Sequence, residues 1–319
     1  MSQSNRVLLV GAGPMAVDYA KVLLALGKEI VVVGRSATSA ATFKEKTGIN
    51  ALDGGLGVYL ATTSDCPDTA VVAVGVEGLA EATLGLLKHG VRRVLIEKPG
   101  ALTRAEIHAV NELAVEKSAQ VLIAYNRRFY ASTLRALELI KEHGGVQSMH
   151  FEFTEWNHVI APLTKAPGVK PAWLLGNSTH VIDLAFYLGG HPVDWRGYTA
   201  GSLDWHPASA VFAGAGRTSR GVLFSYQANW DAPGRWGLEL LTGDVRLIFR
   251  PMESLQVMRK GSVAIEQVEI DDEMDKKFKP GLYEQVSRFL AGQSEGFCTV
   301  ADQAEAWDTY CQIASYEPN

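Results

Sequence analysis

Arg6-Val7-Leu8-Leu9-Val10-Gly11-Ala12-Gly13-Pro14-Met15-Ala16 is the stretch whose reading decides the fold. The apolar run Val7–Val10 predicts a buried strand, and a helical pattern follows the glycines as far as Leu26. A second apolar strand, Glu29-Ile30-Val31-Val32-Val33, ends in Gly34-Arg35-Ser36. Gly-x-Gly-x-x-Ala between a strand and a helix is a dinucleotide-binding pattern in its proper context. Gly11 allows the tight turn, and Gly13 lacks a Cβ that would hold a pyrophosphate off the backbone. Ala16 lets the helix lie close to the strand. Pro14 and Met15 open that helix, whose free N–H groups and partial positive charge suit phosphate.

The end of the second strand bears on which dinucleotide is held. A carboxylate there accepts hydrogen bonds from the adenine ribose and repels a 2′-phosphate. This chain has Gly34, Arg35 and Ser36 instead, with Thr38 close behind. An arginine beside hydroxyls binds a phosphate through charge-assisted hydrogen bonds, so NADP(H) is expected over NAD(H). The competing account has Arg35 stacked on the adenine ring and either cofactor accepted.

The 319 residues predict two domains or one large one, and with 47 % apolar residues they can bury substantial cores. A net charge of −5 without a basic or aromatic-basic stripe gives no reason to expect nucleic acid as a partner. Cys66, Cys298 and Cys311 show no metal or redox spacing; no metal is expected, and free thiols suit a reducing, cytoplasmic setting. The opening residues do not read as a signal peptide, and no apolar run reaches membrane-spanning length.

Strand and helix patterns alternate as far as Ala124, which predicts an α/β domain with a doubly wound parallel sheet over 1–124. Gly57-Val58-Tyr59-Leu60 is a weak strand candidate, whereas Thr69–Val74, Val94–Ile96 and Gln120–Ala124 are clear ones. Thr103 and Glu106 predict a capping box opening a helix from Arg104 to Lys117. Beyond Tyr125 the pattern changes. A helix over 131–143 precedes the alternating run Ser148–Trp156 and a long loop, Asn157–Lys170. A helix over 172–188 is stopped by Gly189-Gly190. Strand-like runs follow near 208–213, 221–229, 236–242, 245–250, 254–259 and 263–270, and amphipathic helices near 281–291 and 300–315 close the chain. Residues 125–319 are therefore expected to form an α+β domain for substrate binding and oligomerisation, with a large, mostly antiparallel open sheet. Apolar runs such as Val222-Leu223-Phe224 and Gly237–Leu241 suggest that this sheet pairs copies of the chain into a homo-oligomer.

Three further features carry a family resemblance. Val94-Leu95-Ile96 runs into Glu97-Lys98-Pro99; Asn126-Arg127-Arg128-Phe129 follows; Thr179-His180-Val181-Ile182-Asp183 comes later. With the amino-terminal fingerprint, this resembles the Gfo/Idh/MocA oxidoreductases, the group of glucose-fructose oxidoreductase and inositol dehydrogenase. The resemblance implies a Rossmann domain followed by an open-sheet α/β domain. It also implies hydride transfer between a nicotinamide and a hydroxyl or keto carbon of a sugar, cyclitol or sugar nucleotide. A Lys-Pro bond of cis geometry after the strand belongs to the same resemblance. The phrases around Asn126 and Asn177-Ser178-Thr179-His180 look like members from bacterial surface-polysaccharide gene clusters.

The residues support such chemistry in their own right. Glu97 and Lys98 follow a strand's carboxyl end, where ligands sit in open α/β sheets. A lysine there can stabilise the alkoxide character that develops as hydride leaves carbon. His180 titrates near neutrality and can accept and return the hydroxyl proton. Asn177 and Asp183 lie three residues to either side, on its helical face, where they can hold substrate hydroxyls or orient the ring. Asn126 is expected at substrate or nicotinamide and Arg128 at a substrate phosphate, with an exposed charge or an interdomain salt bridge as the competing account. Trp173 can wall a sugar pocket. Two positions depart from the family. Gly176 stands where a carboxylate often precedes the histidine, and Gly75-Val76 replaces Thr-Pro, leaving cofactor contacts at Val74 and Gly75 to backbone atoms. Two other functions remain open at this stage: a non-catalytic dinucleotide sensor or co-repressor, and a reductase of a non-sugar ketone or tetrapyrrole.

Overall fold

A computed structural model describes residues 5–317. From Arg6 onward strands and helices alternate: β1 (Arg6–Val10), α1 (Pro14–Ala25), β2 (Glu29–Val33), α2 (Ala37–Thr47), β3 (Ala51–Leu52), α3 (Gly55–Thr62), β4 (Thr69–Val72), α4 (Leu79–His89), β5 (Arg93–Glu97), α5 (Arg104–Glu116) and β6 (Gln120–Ala124). The strands pair in parallel in the order β6-β5-β4-β1-β2-β3. This is the doubly wound order, and its switch point, where ligands bind, falls between β1 and β4. Val7–Val10, Ala70–Val72 and Val94–Ile96 are all buried, as strands covered on both faces must be. The Thr103 hydroxyl accepts the Glu106 N–H and the Glu106 carboxylate accepts the Thr103 N–H, so the capping box is present.

Gly57–Leu60 is helical, inside α3, and not a strand. Only Ala51 and Leu52 pair with β2. Gly54 and Gly55, both left-handed (φ 91° and 83°), then turn the chain away, so the following backbone bonds to itself as a helix.

The second set of elements is α6 (Ala131–Glu142), β7 (Ser148–Glu152), α7 (Asn157–Ile160), α8 (Thr179–Gly189), β8 (Pro192–Ala200), β9 (Val211–Thr218), β10 (Leu223–Asn229), β11 (Gly237–Leu241), β12 (Val245–Phe249), β13 (Gln256–Arg259), β14 (Ile265–Gln267) and α9 (Glu273–Lys277). Its strands form an eight-stranded sheet, β14-β13-β12-β11-β7-β10-β9-β8. β7 and β10 run parallel and the other neighbours antiparallel. The edge strand β8 was not expected: it begins with a proline, contains Gly197 and is largely exposed, so it carries no apolar alternation. α8 lies on β7 and β11, with Phe186 edge-on to Phe151 at 5.5 Å and to Phe224 at 5.3 Å. The apolar runs expected to make an exposed patch mostly serve this core. Val222, Phe224, Leu238 and Leu240 are buried, and Leu223 is the exposed member.

The chain divides into two units whose boundary differs from a single cut after Ala124. One unit runs to Tyr125 and also takes in Lys277–Ala306; the other is Asn126–Lys276 with a segment from Trp307 onward. The returning segment carries α10 (Leu282–Leu290), β15 (Cys298–Thr299) and the start of α11 (Val300–Ala314). β15 pairs antiparallel with β6, α10 packs on α1, and Arg93 donates to the Phe289 carbonyl. These contacts join segments far apart in the chain, Arg93 and Phe289 by 196 residues, which local periodicity does not register.

Gln303 from this segment is fully buried; it donates to the Pro99 carbonyl (3.0 Å) and accepts from the Tyr125 hydroxyl (3.1 Å). It thus pins the turn that carries Lys98. Gln303→Ala should cost about 2–4 kcal/mol in urea unfolding, the scale of two buried groups losing a partner. A loss below about 0.5 kcal/mol would show that water replaces the amide there.

Candidate active site

A cleft of about 1080 Å3 opens at the carboxyl ends of β1, β2 and β4, lined by Gly11, Gly13, Pro14, Met15, Gly34, Arg35, Val74 and Gly75. Gly11 has φ 121°, and a Cβ there would run into the carbonyl oxygen of Ala73 on the neighbouring strand. A Cβ built on Gly13, by contrast, meets no atom within 4 Å. The first glycine is required by the turn, and the second leaves open room at the N-terminus of α1. Together with the unbonded amides of that first turn, this fits a dinucleotide pyrophosphate. Ala16 is fully buried under the helix and serves packing.

At the end of β2, Arg35 is exposed and lines the cleft. Ser36 does not line it. Its hydroxyl accepts the Ser39 N–H (3.2 Å) as the N-cap of α2, and Ser39, unnoticed in the sequence, faces the cleft instead. Lys88 at the end of α4 is a second cation on the wall.

Glu97 and Lys98 lie at the end of β5, outside the lining of this cleft. The Glu97 carboxylate accepts the Tyr19 hydroxyl of α1 at 2.7 Å, so it braces the fold before it serves any ligand. Burial raises the Glu97 carboxyl above the usual carboxylate range and raises the Tyr19 phenol well above its own. Lys98 is half-buried, and its bond to Pro99 is cis. Lys279, also missed in the sequence, rests its ammonium 2.8 Å from the Met15 sulfur and 4.0 Å from Asp18.

The second unit gathers the remaining candidates. Residues 174–178 form a π-helical turn leading into α8, a distortion common at functional sites. The Leu174 N–H donates to the Tyr316 hydroxyl (3.2 Å), which lies 2.7 Å from His206 Nε2. His206 Nδ1 faces the Ser209 carbonyl at 2.6 Å, and burial lowers its pKa, so the ring is a neutral brace. His180 follows the π turn and is buried, its ring 6.1 Å from that of Trp236. Arg127 lies over the same tryptophan, 4.7 Å from the Trp236 ring. Arg128 and Asp183 form a buried bidentate pair, Nε–Oδ2 2.8 Å and Nη2–Oδ1 2.6 Å. Arg128 is thus neither an exposed charge nor part of an interdomain salt bridge: it pairs within its own unit, and the two groups are turned to each other. Asn126 is buried on the same 3₁₀ turn as Arg128 and bonds Tyr130. Asn177 donates to Glu155. Trp173 is half-buried and edge-on to Trp205 at 5.9 Å; its indole N–H has no acceptor among the described residues.

Trp236 and Glu155 are the site residues that sequence reading missed here. Trp236 opens a strand and reads as core; Glu155 follows an alternating strand and reads as solvated. Among the described residues no group of histidines, cysteines and carboxylates could hold a metal ion, and no helix is long and apolar enough to cross a membrane.

Residues 5–125 match the model of an oxidoreductase family with an NAD-binding Rossmann fold. Over this stretch the chain is similar to the Gfo/Idh/MocA oxidoreductases. Solved structures share the fold of the whole chain. Levoglucosan dehydrogenase, in complex with NADH and L-sorbose, superposes with a TM-score of 0.78 at 18% identity, over 98% of this chain and 96% of that one. UDP-N-acetylglucosamine 3-dehydrogenase from Acidithiobacillus ferrooxidans gives 0.76 at 16% identity, over 97% and 96%. An oxidoreductase from Agrobacterium radiobacter in complex with NAD+, L-tartaric acid and magnesium gives 0.76 at 14% identity, over 98% and 94%. No curated protein matches the sequence.

Arg128→Ala would leave Asp183 as an uncompensated buried charge. The expected loss of stability is about 3–5 kcal/mol by urea unfolding. Arg128→Met with Asp183→Leu removes both charges and should recover most of it. A double variant no more stable than the single one would mean that the pair is not isolated.

Proposed function

We propose that the protein is an oxidoreductase that prefers NADP(H) and moves a hydride between the nicotinamide and a hydroxyl or keto carbon of a sugar or sugar nucleotide. The observation that carries the cofactor choice is Arg35, an exposed cation on the cleft wall at the end of β2 where a carboxylate would repel a 2′-phosphate. Ser39 and Lys88 add a hydroxyl and a second cation to that wall. The substrate class is supported by Trp236 beside His180, by the half-buried Trp173, and by the sugars and sugar nucleotide in the names of two structural relatives. Bacterial surface-polysaccharide synthesis is the setting proposed for such a substrate, with free thiols suited to the cytoplasm. The open face of the larger sheet, where Tyr198 and Leu223 are exposed, is the surface proposed to pair copies into a homo-oligomer.

When bound, the nicotinamide supplies the two-electron acceptor or donor. Gly11, Gly13 and the first turn of α1 hold the pyrophosphate, and Arg35 meets the 2′-phosphate. Lys98 donates to the substrate oxygen and stabilises its alkoxide character. His180 takes the hydroxyl proton during oxidation and returns it during reduction. Asn126, Asn177 and Trp173 orient the sugar. Arg128 and Asp183 hold the histidine's helix against the turn at 126–129.

Arg35→Asp should weaken NADPH binding, read from nicotinamide fluorescence, by about 1–3 kcal/mol and leave NADH nearly unchanged. Equal dissociation constants for both cofactors in the wild type would reject the preference. With NADPH and a panel of keto sugars and uridine-diphosphate sugars, Lys98→Ala should lower kcat by about 10²–10³-fold and His180→Ala by about 10²–10⁴-fold. NADPH affinity should change little in either. Tight NADPH binding with no turnover of any panel member would favour the sensor reading.

A further inference from the structure

The segment that returns to complete the first unit sets down a cation beside the dinucleotide cleft. Lys279 lies two residues before Gly281, the left-handed residue (φ 71°) that caps α10. The Leu282 N–H donates to the Lys279 carbonyl (3.0 Å) and the Gln285 N–H to the Gly281 carbonyl (3.0 Å), while α10 packs on α1. The backbone of Lys279 is thereby held beside α1. Its ammonium lies 2.8 Å from the sulfur of Met15, in the first turn of that helix, and 4.0 Å from Asp18 Oδ2. Met15 lines the cleft, next to the open space at Gly13. At the end of β5 the charges of Lys98 and Lys279 pull the Glu97 carboxyl down against the burial that raises it. The ammonium is thus at the start of α1 and within electrostatic reach of the end of β5.

Its present partners hold it weakly. A thioether is a weak, uncharged acceptor. Asp18 is at the outer limit of an ion pair, and both side chains keep contact with water, at 41% and 34% exposure. A lysine carries its charge on a flexible four-carbon stem, so it can exchange such partners for a stronger one. The first turn of α1 offers a dinucleotide about half a positive charge, whereas each phosphate of a pyrophosphate is an anion. We propose that Lys279 is a cofactor-binding residue: its ammonium exchanges the Met15 sulfur for a pyrophosphate oxygen at the start of α1. This rests on the dinucleotide reading of the cleft. In the sheet order β5-β4-β1-β2, Arg35 follows β2 whereas Lys279 acts near β5, so the two cations serve different parts of the ligand. Arg35 meets the 2′-phosphate that only NADP(H) carries. Lys279 meets the part that NADP(H) and NAD(H) share.

The test is isothermal titration calorimetry of the full-length protein with NADPH and with NADH, without substrate. Lys279→Met keeps the length of the side chain and removes its charge. It should raise both dissociation constants by about 10-fold, the scale of one charge-assisted hydrogen bond partly exposed to water. Lys279→Arg, which keeps the charge, should retain most of the wild-type affinity. Added salt should weaken binding to the wild type more steeply than binding to Lys279→Met. The position is exposed, so the urea midpoint should match that of the wild type; if Lys279→Met does not fold, Lys279→Gln gives the same reading. Unchanged dissociation constants in a folded variant lacking the charge overturn the proposal. A loss confined to NADPH overturns it too, because that is the mark of a contact with the 2′-phosphate. A wild type that binds neither dinucleotide overturns the cofactor reading and this assignment with it, whereas a wild type and variant that bind equally well overturn the assignment alone.

Discussion

The close approach of the Gly11 turn to the Ala73 carbonyl is the constraint on which the dinucleotide unit depends. β1 and β4 are neighbours at the switch point of the sheet, and only a residue without Cβ passes between them there. Because the chain turns so tightly, α1 begins with its free amides at the strand ends, and Gly13 leaves the space before them empty of side chains. The open position at Gly13 and the blocked one at Gly11 are two consequences of a single turn. Arg35 then stands at the far side of the same cleft because β2 is the neighbour of β1.

In the second unit the comparable constraint is electrostatic. Two buried carboxylates, Asp183 and Glu155, are bonded to groups on separate segments, Asp183 to Arg128 and Glu155 to Asn177 and Ser178. Each ties α8 or its opening turn to another element, and His180 lies between Ser178 and Asp183 along the helix. Charges removed from water are costly unless their partners are held in good geometry, so the surrounding elements have little freedom to shift. The tryptophan and histidine stacks around Trp230, Trp205 and His206 add packing to the same region.

Much of the fold was legible because its signals are local. The strand-glycine-helix run at 6–26, the Thr103 and Glu106 box and the apolar strand at 120–124 each carry their determinants within a few residues. The departures have equally physical causes. β8 is an exposed edge without alternation. Gly57–Leu60 looks extended by composition, but it lacks a partner strand and turns helical. Ser36 looks like a ligand hydroxyl but is spent on a helix cap. Arg128 and Asp183 are 55 residues apart, so no local pattern pairs them, and Asp183 reads from the sequence as a partner of the histidine ring or of substrate.

By itself, then, the sequence determined the dinucleotide fingerprint, the parallel doubly wound unit and the mostly antiparallel second sheet. These follow from periodicity, turn residues and side-chain chemistry, which act over short spans of chain. Only the tertiary structure decided that residues 277–306 complete the first unit, that Gln303 pins the turn beside Lys98, and that Glu155 is bonded to the turn before His180. Those outcomes depend on which polar groups lose water together when distant segments pack, and no local pattern encodes that.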